Sequence, residues 1–395
     1  MLDRKGAPLN EGFIEFARPD YGDAEIAAAA SALASGWTTT GPRTAAFEKA
    51  FCEYTGARYA LGVNSGSAAL HLALAALGIA PGDEVITTPL TFCATVNAIL
   101  LAGATPVLAD IGDGLNISPD AIRHAITPRT RAIVPVHLAG LPCDMEAIGR
   151  IAGEYGLFVV EDAAHAAGAS LGQVRVGAGA SDAVAFSFYA TKNLSTGEGG
   201  MVTCRDAGLW ERMRILSLHG ISHDTWERQD MKDNWAYDVV ECGFKYNMSD
   251  LVAAIGLAQL ARLDEMNRRR AAIARAYNAA FAEMPELELP PDSAASTHAW
   301  QLYILRLNLV RLRVDRSQFI AEMRRRGVGC SVHFKPIPMH QYYRERLNVP
   351  DAPCRRALDE YPRLVSLPLS SRLVDAEVAK VIAAVRDTVR THTCC

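Results

Sequence analysis

The sequence predicts an α/β protein, with a large domain on a mainly parallel sheet followed by a smaller C-terminal α+β domain. Three observations carry this. Short apolar, β-rich runs alternate with helical runs through the first half of the chain, the pattern of a parallel sheet covered by helices. At 395 residues the chain exceeds what one hydrophobic core usually serves. The texture then changes near residue 250, where "SDLVAAIGLAQLARLDEMNRRRAAIARAYNAAFAEM" reads as one long helical stretch. The expected division is an N-terminal arm over 1–20, a large domain over 21–255 and a small domain over 256–395.

Each element follows from its local pattern. "DAEIAAAASALASG" and "TAAFEKAFCEYTG" read as helices ended by Gly36 and Gly56, with the small-residue turn "WTTTGP" between them. "YALGVNSG" is a short strand running into Asn64, Ser65 and Gly66, and "SAALHLALAALG" is the helix that follows. The alternation continues with "DEVITTP" and "TFCATVNAILLAG", with "TPVLADI", with "RAIVPVHLAG" and "DMEAIGRIAGEYG", and with "FVVEDAAHAAGA". Beyond the long helix come "THAWQLYILRLN", the helix-like "DRSQFIAEMRRRG", the strand-like "VGCSVHF" and a last helix from Asp375.

Composition excludes several function classes. A net charge of −4 provides no basic field for a nucleic-acid backbone, and the dense cluster Arg268, Arg269, Arg270 reads as the solvated face of a helix. No run approaches the length of a membrane span, and "MLDRKGAPLNEG" lacks a signal-peptide core. The nine cysteines include no C-x-x-C pair and no Cys/His cluster with metal-ligand spacing. A cytoplasmic protein with reduced thiols, no bound metal and no nucleic-acid or membrane partner is expected.

Three local features point to chemistry. The turn Asn64-Ser65-Gly66-Ser67 opens a helix, where unpaired N–H groups and the helix dipole welcome an anion such as phosphate; a plain N-cap is the structural alternative. "VVEDAAHAAGA" puts Asp162 at the end of an apolar strand, where its carboxylate calls for a cation such as a protonated ring nitrogen, and His165 follows. "SFYATKNLSTGEGG" places Lys192 in a small-residue loop five residues after Ser187, the nearest other lysine being Lys232. A Schiff-base lysine, a phosphate turn and a strand-end carboxylate are the parts a pyridoxal phosphate (PLP) enzyme requires.

The runs "VNSGSAALHLAL", "TTPLTFCATVNAI", "VVEDAAHAAGA", "SFYATKNLSTGEGGM" and "GFKYNMSDLVAAIGLAQL", with "WTTTGP", "HFKPIPMHQYY" and "SLPLSS", resemble the DegT/DnrJ/StrS family of sugar aminotransferases over nearly the whole chain. The resemblance implies the aspartate aminotransferase-like fold type I of PLP-dependent transferases. It implies that Lys192 holds PLP, that Asp162 pairs with the pyridine nitrogen, that His165 lies near the phenolic oxygen and that Phe92 stacks on the ring. Ser65, Gly66 and Ser187 would hold the phosphate, together with Asn247 from a partner subunit in a homodimer with shared sites. Lys245 is a competing phosphate contact, because "GFKYN" departs from the Gly-aromatic-Asn-x-Arg of many relatives. Thr40, Tyr189, His333 and Lys335 are the expected substrate contacts, and the loop 218–238 an expected cover.

The implied reaction takes an amino group from glutamate, cycling through pyridoxamine phosphate (PMP), to a nucleotide-linked keto-sugar. The "FKYN" and "HGIS" stretches look most like members that aminate C4 of a UDP- or dTDP-linked sugar, C3 being the alternative. The product would serve surface polysaccharide or a glycosylated natural product. A non-catalytic sensor on the same fold would tolerate loss of Lys192 or Asp162, and both are present. Family members that dehydrate have histidine at the lysine position, which Lys192 argues against. A nicotinamide-dependent dehydrogenase lacks its G-x-G-x-x-G after the first strand.

Overall fold

The computed structural model describes residues 12–222, 237–291, 295–347 and 352–394. Its centre is a seven-stranded sheet of β1 (Tyr59–Val63), β2 (Glu84–Thr87), β3 (Thr105–Leu108), β4 (Thr130–Val134) and β5 (Phe158–Asp162), then, past a hairpin of β6 (Ser170–Leu171) and β7 (Val174–Arg175), β8 (Ala183–Ser187) and β9 (Gly200–Cys204). The order across the sheet is β1-β9-β8-β5-β4-β2-β3. The pairs from β8 to β3 are parallel, whereas β9 runs antiparallel to both β8 and β1. The cause lies in the connection: a parallel neighbour needs a crossover, but β8 returns to β9 through the loop 188–199, which carries Lys192.

The helices before and between these strands are α1 (Asp23–Ala34), α2 (Pro42–Thr55), α3 (Gly66–Ala76), α4 (Cys93–Leu101), α5 (Pro119–Ala125) and α6 (Met145–Tyr155), and α7 (Ala207–Ser217) follows β9. Because they cover both faces, the inner strands are apolar almost throughout instead of alternating, and β2 and β9 are buried at every residue. α3 is buried at nearly every position, from Gly66 through Leu74, so it is apolar all round.

α8 (Asp250–Phe281), of 32 residues, joins the two cores. Its first half gives Ala253, Leu260, Leu263 and Met266 to a cluster with Phe47, Phe186 and Phe188, and its second half gives Ile273, Ala274, Tyr277 and Phe281 to the C-terminal core. That second core packs on the small antiparallel sheet β10 (Leu287–Glu288), β12 (Tyr303–Leu307) and β13 (Leu364–Leu367), while β11 (Ser296–Thr297) pairs with β6. α9 (Arg316–Arg325) and α12 (Asp375–His392) cover it, with α10 (Gln341–Leu347) and α11 (Arg355–Glu360) between them in the chain. The N-terminal segment joins the same core: Ile14 is buried there and exchanges backbone bonds with Gly327 and Gly329.

One expected element is absent. "VGCSVHF" does not form a strand but a single bridge, Ser331 to Ser366. Backbone bonds at Ser331 tie the segment to β13, after which it leaves the sheet and carries His333 and Phe334 to a cavity at the ends of β5 and β8.

Candidate active site

The cavity, of about 510 Å³, lies at the carboxyl ends of β5 and β8, where open α/β sheets bind ligands. Its floor begins with the turn from β1 into α3. Ser65 is the N-cap of α3, and its Oγ accepts from the Ala68 amide at 3.1 Å. The amides of Gly66 and Ser67 have no intrahelical acceptor and lie at the positive end of the helix dipole. Close approach explains the glycines. A Cβ on Gly66 would stand 2.7 Å from Ser187 Cβ, and one on Gly200 would stand 2.6 Å from the Ser65 carbonyl carbon and oxygen. The turn is thereby pressed against the end of β8, and the Ser187 hydroxyl joins the amides in one anion cradle.

Asp162 ends β5 and is 5% exposed. Its carboxylate is held at both oxygens: Oδ2 accepts from Thr95 Oγ1 at 2.8 Å and Oδ1 from the Ala164 amide at 3.1 Å. Thr91 Oγ1 lies 2.8 Å from Thr95 Oγ1 and extends the chain of hydroxyls. Burial raises the Asp162 pKa, opposed by those hydrogen bonds and by the charge of Lys192. Lys192 sits in the tight turn after β8, its amide donating to the Tyr189 carbonyl at 2.8 Å. Burial lowers its pKa from 10.5 to about 8, with Asp162 opposing. An amine that is largely charged in water is thus poised to lose its proton near neutrality, the condition for a nucleophile and base.

His165 is buried, and its Nδ1 accepts from the Ala139 amide at 3.2 Å, so any ring proton is on Nε2. Burial, then the charges of Lys192 and His333, push its pKa well below the usual value, so it stays neutral at physiological pH. Phe334 stacks on it at 5.8 Å and meets Phe92 at 5.8 Å, with Phe92 itself 59% exposed. His333 bonds Ser366 Oγ at 2.8 Å and stacks on Phe16, its pKa lowered by burial to about 4.

Ser65, Gly66, Phe92, Asp162, His165, Ser187, Tyr189, Lys192 and His333 therefore share one cavity. Of the expected contacts, Thr40 and Lys335 do not line it, and neither do Asn247, expected to serve a partner's site, and its competitor Lys245. Asn247 donates to Thr40 Oγ1 at 2.7 Å and accepts from Lys245 Nζ at 2.7 Å, so that trio forms its own polar cluster, while Lys335 is exposed. Of the expected covering loop 218–238, residues 223–236 lie outside the described residues. Sequence reasoning missed Thr95, Phe16, Phe334 and Gln301, all of them at or beside the cavity. "HFKP" was the signal that pointed nearest to Phe334; nothing local marks Thr95 as a partner of Asp162.

An anion cradle, a carboxylate for a ring cation and a neutral-capable lysine fit PLP: the cradle would take its phosphate, Asp162 its pyridinium and Lys192 its aldehyde carbon.

The profile of the DegT/DnrJ/EryC1/StrS aminotransferase family matches residues 19–386. The spore coat polysaccharide biosynthesis protein SpsC of Bacillus subtilis is 47% identical over 380 residues, covering 96% of this chain and 97% of that one. Among solved structures, Helicobacter pylori PseC, an aminotransferase involved in the biosynthesis of pseudoaminic acid, superposes with a TM-score of 0.89 at 30% identity, covering 96% of this chain and all of that one. Spr1654 of Streptococcus pneumoniae, a candidate sugar aminotransferase, has a TM-score of 0.89 at 32% identity in its PMP form, covering 96% and 99%, and is also solved in a PLP form.

Proposed function

The chain belongs to the DegT/DnrJ/EryC1/StrS aminotransferase family and is a PLP-dependent sugar aminotransferase, and from that premise we propose that it moves an amino group from glutamate to C4 of a UDP- or dTDP-linked keto-sugar. The observation that carries the site assignment is the convergence of Lys192, Asp162, Ser187 and the α3 N-terminus on one cavity. The likeness to SpsC, a spore coat polysaccharide biosynthesis protein, favours a product used in a surface polysaccharide.

Bound PLP supplies an electron sink that stabilises negative charge at the carbon bearing the nitrogen. The chain's residues do the rest. Asp162, fixed by Thr95 and Ala164, holds the proton on the pyridine nitrogen. The α3 amides and Ser187 anchor the phosphate. Lys192 Nζ would hold the aldehyde carbon of PLP and, when free, would act as the base that moves the proton at the substrate carbon. Neutral His165 would lie beside the bound ring without adding a charge that competes with Asp162.

Tyr189 and His333 contact the sugar, and exposed Lys335 reaches toward the nucleotide phosphates. The Thr40–Asn247–Lys245 cluster stands off this chain's own cavity, which supports a homodimer in which Asn247 serves the phosphate of the second copy. The deciding experiment incubates the PLP-loaded protein with glutamate and a panel of UDP- and dTDP-linked 4-keto and 3-keto sugars. A 4-amino product by mass spectrometry, with the borohydride-fixed cofactor mass on the Lys192 peptide, is the expected result. Amination at C3 alone, or a cofactor mass elsewhere, overturns it.

A further inference from the structure

Gln301 lies just before β12, in the C-terminal part of the chain, yet lines the cofactor cavity and is only 5% exposed. Its backbone is fixed: its amide donates to the Ala139 carbonyl at 2.9 Å, and its carbonyl accepts from Arg270 Nη1 at 3.5 Å. Its side chain is fixed as well. Nε2 donates to the Thr191 carbonyl at 3.2 Å, an acceptor that only the nitrogen end of the amide can satisfy, so the orientation of the amide is determined. The remaining atom, Oε1, is buried and has no hydrogen-bond partner. Leaving such an acceptor unpaired is unfavourable, so a fixed orphan of this kind points to a donor that arrives from elsewhere in the site.

Thr191, the residue Gln301 grips, immediately precedes Lys192, and Lys192 carries the only ammonium among the described residues lining this cavity. We propose that Gln301 is a positioning residue for Lys192: Nε2 clamps the backbone before the lysine, and Oε1 accepts a hydrogen bond from the Lys192 ammonium once PMP occupies the cavity beside Asp162 and that nitrogen moves away from the carboxylate. This rests on the reading of Lys192 as the cofactor lysine. It gives the freed lysine a defined resting place on the substrate side and couples its geometry to the small domain through Arg270. A glutamine can do this without adding a charge, whereas a carboxylate there would hold the proton on Lys192 and oppose its action as a base.

The test uses the full-length protein loaded with PMP, the form in which Lys192 is free, and follows trace acetylation of Lys192 by peptide mass spectrometry across a pH series. The other titratable groups facing the cavity are Asp162 at the end of β5, His165 after it, Glu198 before β9 and His333 from the small domain, and all stay constant. Accepting from the ammonium stabilises the charged form, so Gln301→Leu is expected to lower the labelling midpoint by about half a unit to one unit, and Gln301→Glu to raise it by about one unit or more. A clamp of purely structural role would lower the melting temperature of the Leu variant but leave the midpoint where it is. Unchanged midpoints in the folded variants overturn the proposal, and if the Leu variant does not fold, the Glu variant alone decides. Protection of wild-type Lys192 by added PLP separately tests the reading on which the inference rests.

Discussion

Two cavities of nearly equal volume flank β5, about 510 Å³ around Asp162 and about 520 Å³ around Glu161, one residue earlier. Because side chains alternate along a strand, these neighbours face opposite sides of the sheet. The second cavity is walled by Gly149, Ala152 and Gly153 of α6 and by the β6–β7 hairpin, and its charges are already partnered. Glu161 meets His137 Nε2 at 2.7 Å, and Arg175 meets Asp264 at 3.1 Å. The Cys143 amide donates to His137 Nδ1, so the ring proton lies on Nε2 and points at Glu161. In the first cavity Asp162 is held by neutral donors, Thr95 and the Ala164 amide, and shares the lining with Lys192. Volume does not separate the two; the state of their polar groups does.

Substitution on β5 and its loop should separate the cavities sharply. Lys192→Ala is expected to reduce sugar amination by on the order of 10⁴-fold, because nucleophile and base disappear together. Glu161→Ala should leave the turnover of folded enzyme within a few-fold of wild type. It should instead cost about 1–3 kcal/mol of stability, since the buried His137 N–H loses its acceptor. Steady-state assays paired with denaturant titrations read both. A catalytic collapse in Glu161→Ala at unchanged stability would erase the distinction.

Gly66→Ala acts through the cradle. The added methyl cannot share space with Ser187 Cβ and Cα, so the α3 N-terminus and β8 must part. Overpacking of this kind costs about 1–3 kcal/mol, which should appear as a rise in the PLP dissociation constant of roughly tenfold or more. Thr95→Val keeps the shape but removes the donor to Asp162 Oδ2. A hydrogen bond to a charged group contributes about 1.5 kcal/mol at the lower end, so turnover is expected to fall by about tenfold while the fold is retained. An Asp162 carboxylate indifferent to Thr95 would leave turnover unchanged.

The sequence was most legible where the signal is local. The Asn64-Ser65-Gly66 turn, strand-end Asp162 and loop-borne Lys192 are each marked by neighbours within a few residues, and the strand–turn–helix order implies that they meet. Thr95 and Asp162 are 67 residues apart, and Gln301 and Thr191 are 110 apart, so only tertiary packing pairs them. "VGCSVHF" had strand composition, but its segment is diverted to deliver Phe334 onto His165, a contact no period or propensity encodes. Thr40 was expected at the site and instead accepts from Asn247 outside its wall.

The last expected effect bears on stability instead of turnover, and it is the most diagnostic of how the cavity around Lys192 differs from its neighbour. A lysine whose pKa falls from 10.5 to about 8 on folding destabilises the cofactor-free fold whenever it is charged. Below about pH 8 it carries its proton both folded and unfolded, and the penalty is constant. Between about 8 and 10.5 the unfolded chain binds more protons than the folded one, so wild-type stability rises with pH; above 10.5 the lysine is neutral in both states and the penalty is gone. Lys192→Met keeps most of the side chain's bulk without the charge. It should therefore be more stable than wild type at pH 7, with the gap closing across that window. The lost attraction to Asp162 reduces the gain but does not reverse it, because burial is the larger influence on Lys192. Thermal unfolding of both cofactor-free proteins from pH 7 to 10.5 measures the difference. A gap that widens with pH, or a Met variant less stable at pH 7, would mean that Lys192 is held as a satisfied ion like Arg175 and that the two cavities are electrostatically alike.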